Sequence, residues 1–271
     1  MKQGEYSTFI SGIINEYLKV NYNLDMNTLD EAVKQCLTNY NKIRPVVIDG
    51  MQFYFSDSII SSTVNFVSNE LNYSNEYDFR YMNFQEGDKV IDIGGNIGMV
   101  SIYLAKKYPF LKIYAFEPVF QNWENFKKNI QLNNIPEGTI MLEHKAVTSN
   151  GRDVCMAINV LNSGGSSISS VISMSGVFQE INSDIKSTTL TEIFEKNNID
   201  NLRLLKIDCE GSEYEIIKNT PDDILRRIQS IRGEFHENKE LTDEFDNDEL
   251  YNYVEQFIPD IKIVKAQMCF M

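Results

Sequence analysis

Cysteine is scarce in this 271-residue chain, and no two of Cys36, Cys155, Cys209 and Cys269 stand close together. That spacing excludes a zinc knuckle and a disulfide framework, so a reducing cytoplasm is the expected setting. Long apolar runs are also missing. No stretch approaches the roughly 18 residues that a membrane span needs, and the first residues lack the apolar core and small-residue cleavage site of a signal peptide. Positive charge is the third shortage: 25 lysines and arginines face 39 acids, for a net charge of −14. General affinity for nucleic acid comes mainly from neutralising phosphates, so no nucleic-acid partner is expected. What remains is 42% apolar and 11% aromatic, enough to bury a substantial core and to exclude global disorder.

The chain contains no internal repeat and no low-complexity linker. Helical spacing marks Phe9 to Leu18 and Leu29 to Leu37. Pro45 to Phe55 spells two short strands about an Asp-Gly turn, a hairpin signal, and Ser58 to Met82 reads as a second helical region. From residue 87 strands and helices alternate. The strand candidates are Lys89–Ile93, Lys112–Phe116, Thr139–Val147, Leu202–Ile207, Ile228–Phe235 and Ile261–Ala266. Helices are predicted over Met99–Lys107, Phe120–Leu132, Thr191–Asn197, Glu213–Asn219 and Glu240–Gln256. That alternation predicts an α/β fold with a mostly parallel central sheet covered on both faces. An α/β extension over residues 1–80 would precede a main domain over 81–271. An extra strand is expected over Arg152 to Val160, followed by a Ser/Gly-rich loop from Leu161 to Ser175. The extension and the segment 161–186 are expected to lie over the sheet's carboxyl edge as a lid.

The strongest chemical signal is V-I-D-I-G-G-N-I-G, Val90 to Gly98, where a strand ends and a helix opens. Glycines there allow a tight turn and close approach by a ligand, and a helix start offers free N–H groups. Asp92 precedes the first glycine by two residues, unfavourable for a pyrophosphate but suited to an ammonium group. One strand later, A-F-E-P places Glu117 where a carboxylate can accept both ribose hydroxyls. A ribose without a pyrophosphate, joined to an amino-acid moiety, describes S-adenosylmethionine.

Two further motifs end strands on the same edge. L-L-K-I-D-C-E-G-S-E-Y-E, Leu204 to Glu215, delivers Asp208 and Glu210, with Ser212 and Glu215 spaced as a capping box. G-E-F-H-E, Gly233 to Glu237, delivers His236, whereas His144 lies inside a predicted strand and reads as a packed core residue. Asp208 and His236 are the candidates for a general base, with Glu210 and Glu234 behind them. His236 with Glu234 and Asp208 also has the makings of a divalent-metal site. No other feature of the sequence supports an ion, and no residue is assigned to one.

These motifs, with S-T-T-L-T-E at Ser187–Glu192 and S-G-G-S-S-I at Ser163–Ile168, resemble in order and spacing the FkbM-type methyltransferases. The resemblance covers about residues 76–237. It implies a Rossmann-like class I fold, S-adenosylmethionine as cofactor, and transfer to a hydroxyl of a sugar, glycan or other metabolite. By matching position, Asp92, Gly94, Gly95, Asn96 and Gly98 would hold the methionine part, Glu117 with Pro118 the ribose, and Ala146 and Val147 the adenine. Asp208 would lie near the transferred methyl. The short carboxyl end departs from the pattern, and the last strand of a seven-stranded sheet is expected to be stunted or missing there.

Other readings fare less well. A nicotinamide dehydrogenase would need a second glycine where Asn96 stands. A nucleic-acid methyltransferase would carry a basic surface and a base-holding motif such as N-P-P-Y, and neither is present. A non-catalytic cofactor-binding module is an alternative, as is transfer to nitrogen or protein acceptors. The sequence leaves the oligomeric state open. Between Glu234 and Asp260 ten acids meet one lysine, so much of the net charge sits on a carboxyl-terminal helix expected to face solvent and bears on solubility.

Overall fold

The computed structural model describes residues 41–58, 61, 63–74, 77–159, 178–237 and 247–267. The helical spacing before residue 40, the loop 161–175 and its Ser163–Ile168 motif lie outside the described residues. The structure opens with a hairpin of β1 (Asn41–Ile48) and β2 (Met51–Ser58). Ile48 pairs with Met51, leaving a two-residue turn of Asp49 and Gly50 with φ of 51° and 76°. Both values are left-handed, as the tight turn matching strand twist demands, and Asp-Gly tolerates them. Asp49 is anchored below by Lys107 at 2.5 Å and the Tyr103 hydroxyl at 3.2 Å.

The short helix α1 (Thr63–Asn69) and a π turn over Glu70–Ser74 follow. Then come β3 (Lys89–Ile93), α2 (Met99–Lys107), β4 (Lys112–Phe116), α3 (Phe120–Leu132) and β5 (Ile140–Glu143). After β6 (Ala146–Val147), the chain makes β7 (Val154–Asn159), β8 (Phe178–Ile185), β9 (Ser187–Thr188) and α4 (Leu190–Lys196). The last part comprises β10 (Leu204–Ile207), α5 (Glu213–Lys218), α6 (Asp222–Leu225), β11 (Ser230–Glu237), α7 (Asn247–Glu255) and β12 (Asp260–Gln267).

Six strands form the central sheet in the order β12-β11-β10-β3-β4-β5, and every pairing is parallel. The strands are short apolar runs, as burial on both faces requires. Period-two alternation divides them between two hydrophobic clusters. Val90, Leu204, Ile113 and Ala115 join the hairpin's Phe53 and Phe55, with Ile102 of α2 and Phe126 of α3. Ile91, Ile93, Leu205, Ile207 and Phe116 join Phe194, Ile216, Phe235, Leu250 and Val254 on the other face. α7 therefore faces solvent on one side only: its acids are outside and Leu250 and Val254 are in the core.

Several expectations need correcting. The strand foreseen over Thr139–Val147 is two: β5 ends at Glu143, and β6 leaves the sheet to pair with β9. The segment expected as loop up to residue 186 contains β8, antiparallel to β7. Ser212 makes no side-chain cap, because its backbone is already helical (φ −94°, ψ −3°) rather than extended, and the Glu215 carboxylate meets Arg152 at 2.9 Å. The capping box is formed instead by Thr189 and Glu192 at the start of α4. The strand expected over Ile261–Ala266 is present as β12, parallel to β11, and the central sheet has six strands among the described residues.

Helix α3 carries asparagines at 125 and 129 and ends on Asn133 as its carboxyl cap, the three spaced to share one face. The Asn129 amide accepts from Ser56 N at 2.6 Å and donates to Ser56 O at 3.1 Å and Ile97 O at 2.8 Å. Asn133 repeats the exchange with Tyr54, at 3.0 and 2.8 Å, and Asn125 accepts from the Asn41 amide. These side chains mimic a further strand and close the exposed edge of β2.

Candidate active site

Parallel strands bring their carboxyl ends to one edge, where such sheets bind ligands. A cleft of about 670 Å³, open mouth included, lies there. Its walls are the glycine loop (Gly94, Gly95, Asn96, Ile97), the first turn of α2 (Met99, Val100), α1 and the following turn (Thr63, Phe66, Val67, Glu70), and Tyr77. Lys206, Asp208, Glu210 and Glu234 complete it. The structure thus gathers Gly94, Gly95, Asn96, Asp208 and Glu210 around one space.

The glycines are needed first by the chain's own packing. Gly94 has φ +77°, and a Cβ there would lie 1.9 Å from the Asp208 carbonyl oxygen; at Gly98, φ +88°, it would lie 2.1 Å from the Phe126 ring. The closest approach is thus made by β10 and α3. Gly98 is the amino cap of α2 and does not line the cleft. Asn96 is also left-handed, at φ 49°, and its buried Oδ1 has no hydrogen-bond partner among the described residues.

Asp92 lies beneath the loop, 1% exposed. Its Oδ2 accepts from the Ser101 hydroxyl at 2.6 Å, and its Oδ1 stands 3.3 Å from Lys206 Nζ. The cation that Asp92 faces is therefore the chain's own. Lys206 also donates to Gly94 O at 2.9 Å and lies 3.6 Å from Asp208 Oδ2. Burial alone would strip its charge, but Asp92 and Asp208 outweigh it and hold the ammonium protonated.

Glu117 is 3% exposed and lies outside the cleft lining. Its Oε2 accepts from Asn96 N at 2.7 Å, and its Oε1 from Val119 N at 2.8 Å and the Asn122 amide at 3.4 Å. Burial pushes its carboxyl up to about 7, against those donors. Pro118, Ala146 and Val147 also lie outside the lining. Pro118 O accepts from His144 Nε2, Ala146 packs with Val119, Val154 and Ile185, and Val147 packs in the second cluster. His144 is no core residue: it sits half-buried past β5, stacked on Trp123 at 5.1 Å.

The other side of the cleft is crowded with acid. Asp208 Oδ2 accepts from the Tyr77 hydroxyl at 3.1 Å. His236, 5% exposed, meets Glu213 through Nδ1 at 3.1 Å, and its Nε2 is 3.5 Å from both Glu210 and Glu234. Burial opposes its charge, but the bond to Glu213 and the charges of Glu213, Glu210 and Asp208 prevail and push it up to about 10. Burial, with Asp208, Glu213 and Glu234 adding to it against His236, pushes Glu210 upward too. Glu210 is also left-handed, at φ 56°.

Three participants escaped the sequence reading. Glu213, fully buried, ties the loop after β10 by accepting from Cys209 N at 2.8 Å and Gly211 N at 2.9 Å while orienting His236. A carboxylate in the first turn of a helix just after a Gly-Ser pair was the available signal. Lys206 stands two residues before Asp208 and so shares its side of the strand, but alternation does not show that it reaches under the glycine loop. Tyr77 stands 131 residues from Asp208 along the chain, with no motif to mark it.

The sequence matches the family model described as the methyltransferase FkbM domain over residues 92–258. Methyltransferase 1 of Beauveria bassiana is 25% identical over 193 residues, covering 65% of this chain and 75% of its own. The 31-O-demethyl-FK506 methyltransferase FkbM of Streptomyces tacrolimicus is 22% identical over 174 residues, 56% of this chain and 66% of its own. Among solved structures, a precorrin-6y C5,15-methyltransferase from Geobacter metallireducens covers 58% of this chain and 56% of its own, at 16% identity and a TM-score of 0.32. So distant a structural likeness carries no argument about the site.

Proposed function

The chain belongs to the FkbM methyltransferase family, and on that premise we propose that it transfers a methyl group from S-adenosylmethionine to a hydroxyl oxygen of a sugar, glycan or secondary metabolite. One observation carries the choice of a hydroxyl. Asp208, in a cleft walled by the glycine loop, already accepts a hydrogen bond from a hydroxyl group, that of Tyr77. A relative named for methylating an oxygen of FK506 supports the same choice.

The residues present fit the cofactor. Asn96 Oδ1 is buried with unused acceptor capacity, and the start of α2 borders the same cleft with N–H groups that no helical partner satisfies. Gly94, Gly95, Asn96 and that first turn would hold the amino-acid part. Glu117 would take the ribose with the lone pairs its amide donors leave over, and Ala146 and Val147 would border the adenine. Asp92 would act through Lys206, whose ammonium it fixes at the cleft floor. When bound, the cofactor supplies a methyl group activated on a sulfonium.

The chain's own task is to orient the acceptor and remove its proton, because a neutral hydroxyl is a weak nucleophile. Asp208 is the group placed to accept that proton, with Lys206 beside it. With no ion beside it, His236 is held protonated by Glu213, Glu210 and Asp208 and donates rather than accepts, which favours Asp208 over His236 as the base. Thr63, Phe66 and Val67 of α1 form the cleft's outer wall, where they would cover the acceptor. Asp208→Asn should lower turnover by ~10²-fold or more while calorimetry shows nearly unchanged affinity for S-adenosylhomocysteine. Full turnover in that variant would remove Asp208 from the mechanism.

A further inference from the structure

We propose that Asp208, Glu234 and His236 form a binding site for one divalent transition-metal ion at the carboxyl ends of β10 and β11. Register brings the three together. Ile207 pairs with Gly233, so Asp208 and Glu234 leave adjacent strands side by side. Glu234 and His236 stand two residues apart and share a face of β11. Gly233 permits the approach: a Cβ there would lie 1.7 Å from Ile207 O.

One ligand atom from each residue lies within 4.8 Å of the others. The spacing from His236 Nε2 to Glu234 Oε2 is 3.5 Å. That is long for a hydrogen bond, but two donors about 2.1 Å from one ion at a tetrahedral angle stand about 3.4 Å apart. A second feature separates this group from a plain acidic patch. Glu213, fully buried, accepts from His236 Nδ1 at 3.1 Å, which holds the ring with Nε2 facing the carboxylates, where an ion would displace the Nε2 proton. Carboxylates hold metal-binding histidines in this way, and the hydrogen bond orients the ring and strengthens its donor nitrogen.

Two carboxylates and one imidazole suit Mn²⁺, Fe²⁺ or Zn²⁺ better than Ca²⁺ or Mg²⁺. Three protein donors leave coordination positions open toward the cleft, as in catalytic rather than structural sites. An ion there would lower the pKa of an acceptor hydroxyl. That role rests on the hydroxyl-methylation reading; the site itself does not.

The test titrates the full-length protein, stripped with EDTA, with MnCl₂ and follows free Mn²⁺ by electron paramagnetic resonance. The expected result is saturable binding of one ion per chain, weakened at least ~10-fold in Glu234→Gln and in His236→Gln. No saturable binding by the unaltered protein, or undiminished affinity in both variants, would overturn the proposal. Should His236→Gln fail to fold, as judged by circular dichroism, the near-isosteric Glu234→Gln decides alone. Methyl transfer is assayed separately on stripped and loaded protein. Binding that weakens in the variants without any transfer upholds the site and sinks the hydroxyl reading. Transfer by stripped protein that binds no Mn²⁺ does the reverse.

Discussion

Glu117 and Asp208 stand at the carboxyl ends of β4 and β10, on either side of β3 and its glycine loop. Similar in chemistry and position, the two are used differently. The oxygens of Glu117 are held mainly by the chain's own backbone amides. Asp208 is met by side chains, the Tyr77 hydroxyl and the Lys206 ammonium, in an open cleft. A backbone donor cannot leave without unfolding its loop, whereas a side-chain donor can yield its place to a ligand. Glu117 braces the glycine loop from behind, and on the proposed reading Asp208 is the one available to react.

The comparison can be broken in several places. Glu213→Ala should have the largest effect, about 3 kcal/mol or more of stability, because it leaves His236 and two loop amides unpaired in the interior. Denaturant unfolding would measure it, and a loss under about 1 kcal/mol would show that the acidic side is not organised from beneath. Asp208→Asn comes next, with turnover down by ~10²-fold and the fold intact. Glu117→Ala should cost about 1–3 kcal/mol through the stranded Asn96 and Val119 amides and should weaken S-adenosylhomocysteine. Undiminished affinity in that variant would confine Glu117 to bracing the loop.

The smallest effect is a pH slope. Glu117 sits at about 7 in the folded chain against a usual 4.5. Between those values the folded chain keeps a proton that the unfolded chain has released. The contribution of Glu117 is thus present below about 4.5 and fades as the pH rises through about 7. Glu117→Gln should flatten that part of the stability profile, read from denaturation midpoints at the two ends of the window.

The sheet was legible because its strands are short apolar runs with a period of two, and because each ends in a residue unsuited to a core: Asp208 after Ile207, Glu117 after Phe116. The hairpin was legible through Asp49-Gly50. The β5 boundary was not, since Thr139 to Val147 has no breaker and only tertiary pairing draws Ala146 and Val147 toward β9. In the site, strand ends named Asp208, Glu210, Glu234 and His236. Periodicity could not show which buried partner each would find. Lys206 under the loop and Glu213 behind His236 are products of the third dimension, as is Tyr77, which lies far from Asp208 along the chain.

Asn129 serves two masters with one amide group. It seals the margin of the hairpin at Ser56 and braces the glycine loop at Ile97. A chain begun after the hairpin would keep every motif by which the family is known. It would also lose one of the two ties that steady Asn129, and the loop would inherit that looseness. The motif-bearing segment and the residues before it are therefore not separable modules in the mechanical sense, and trimming the molecule to its recognisable part would detune the part that was kept.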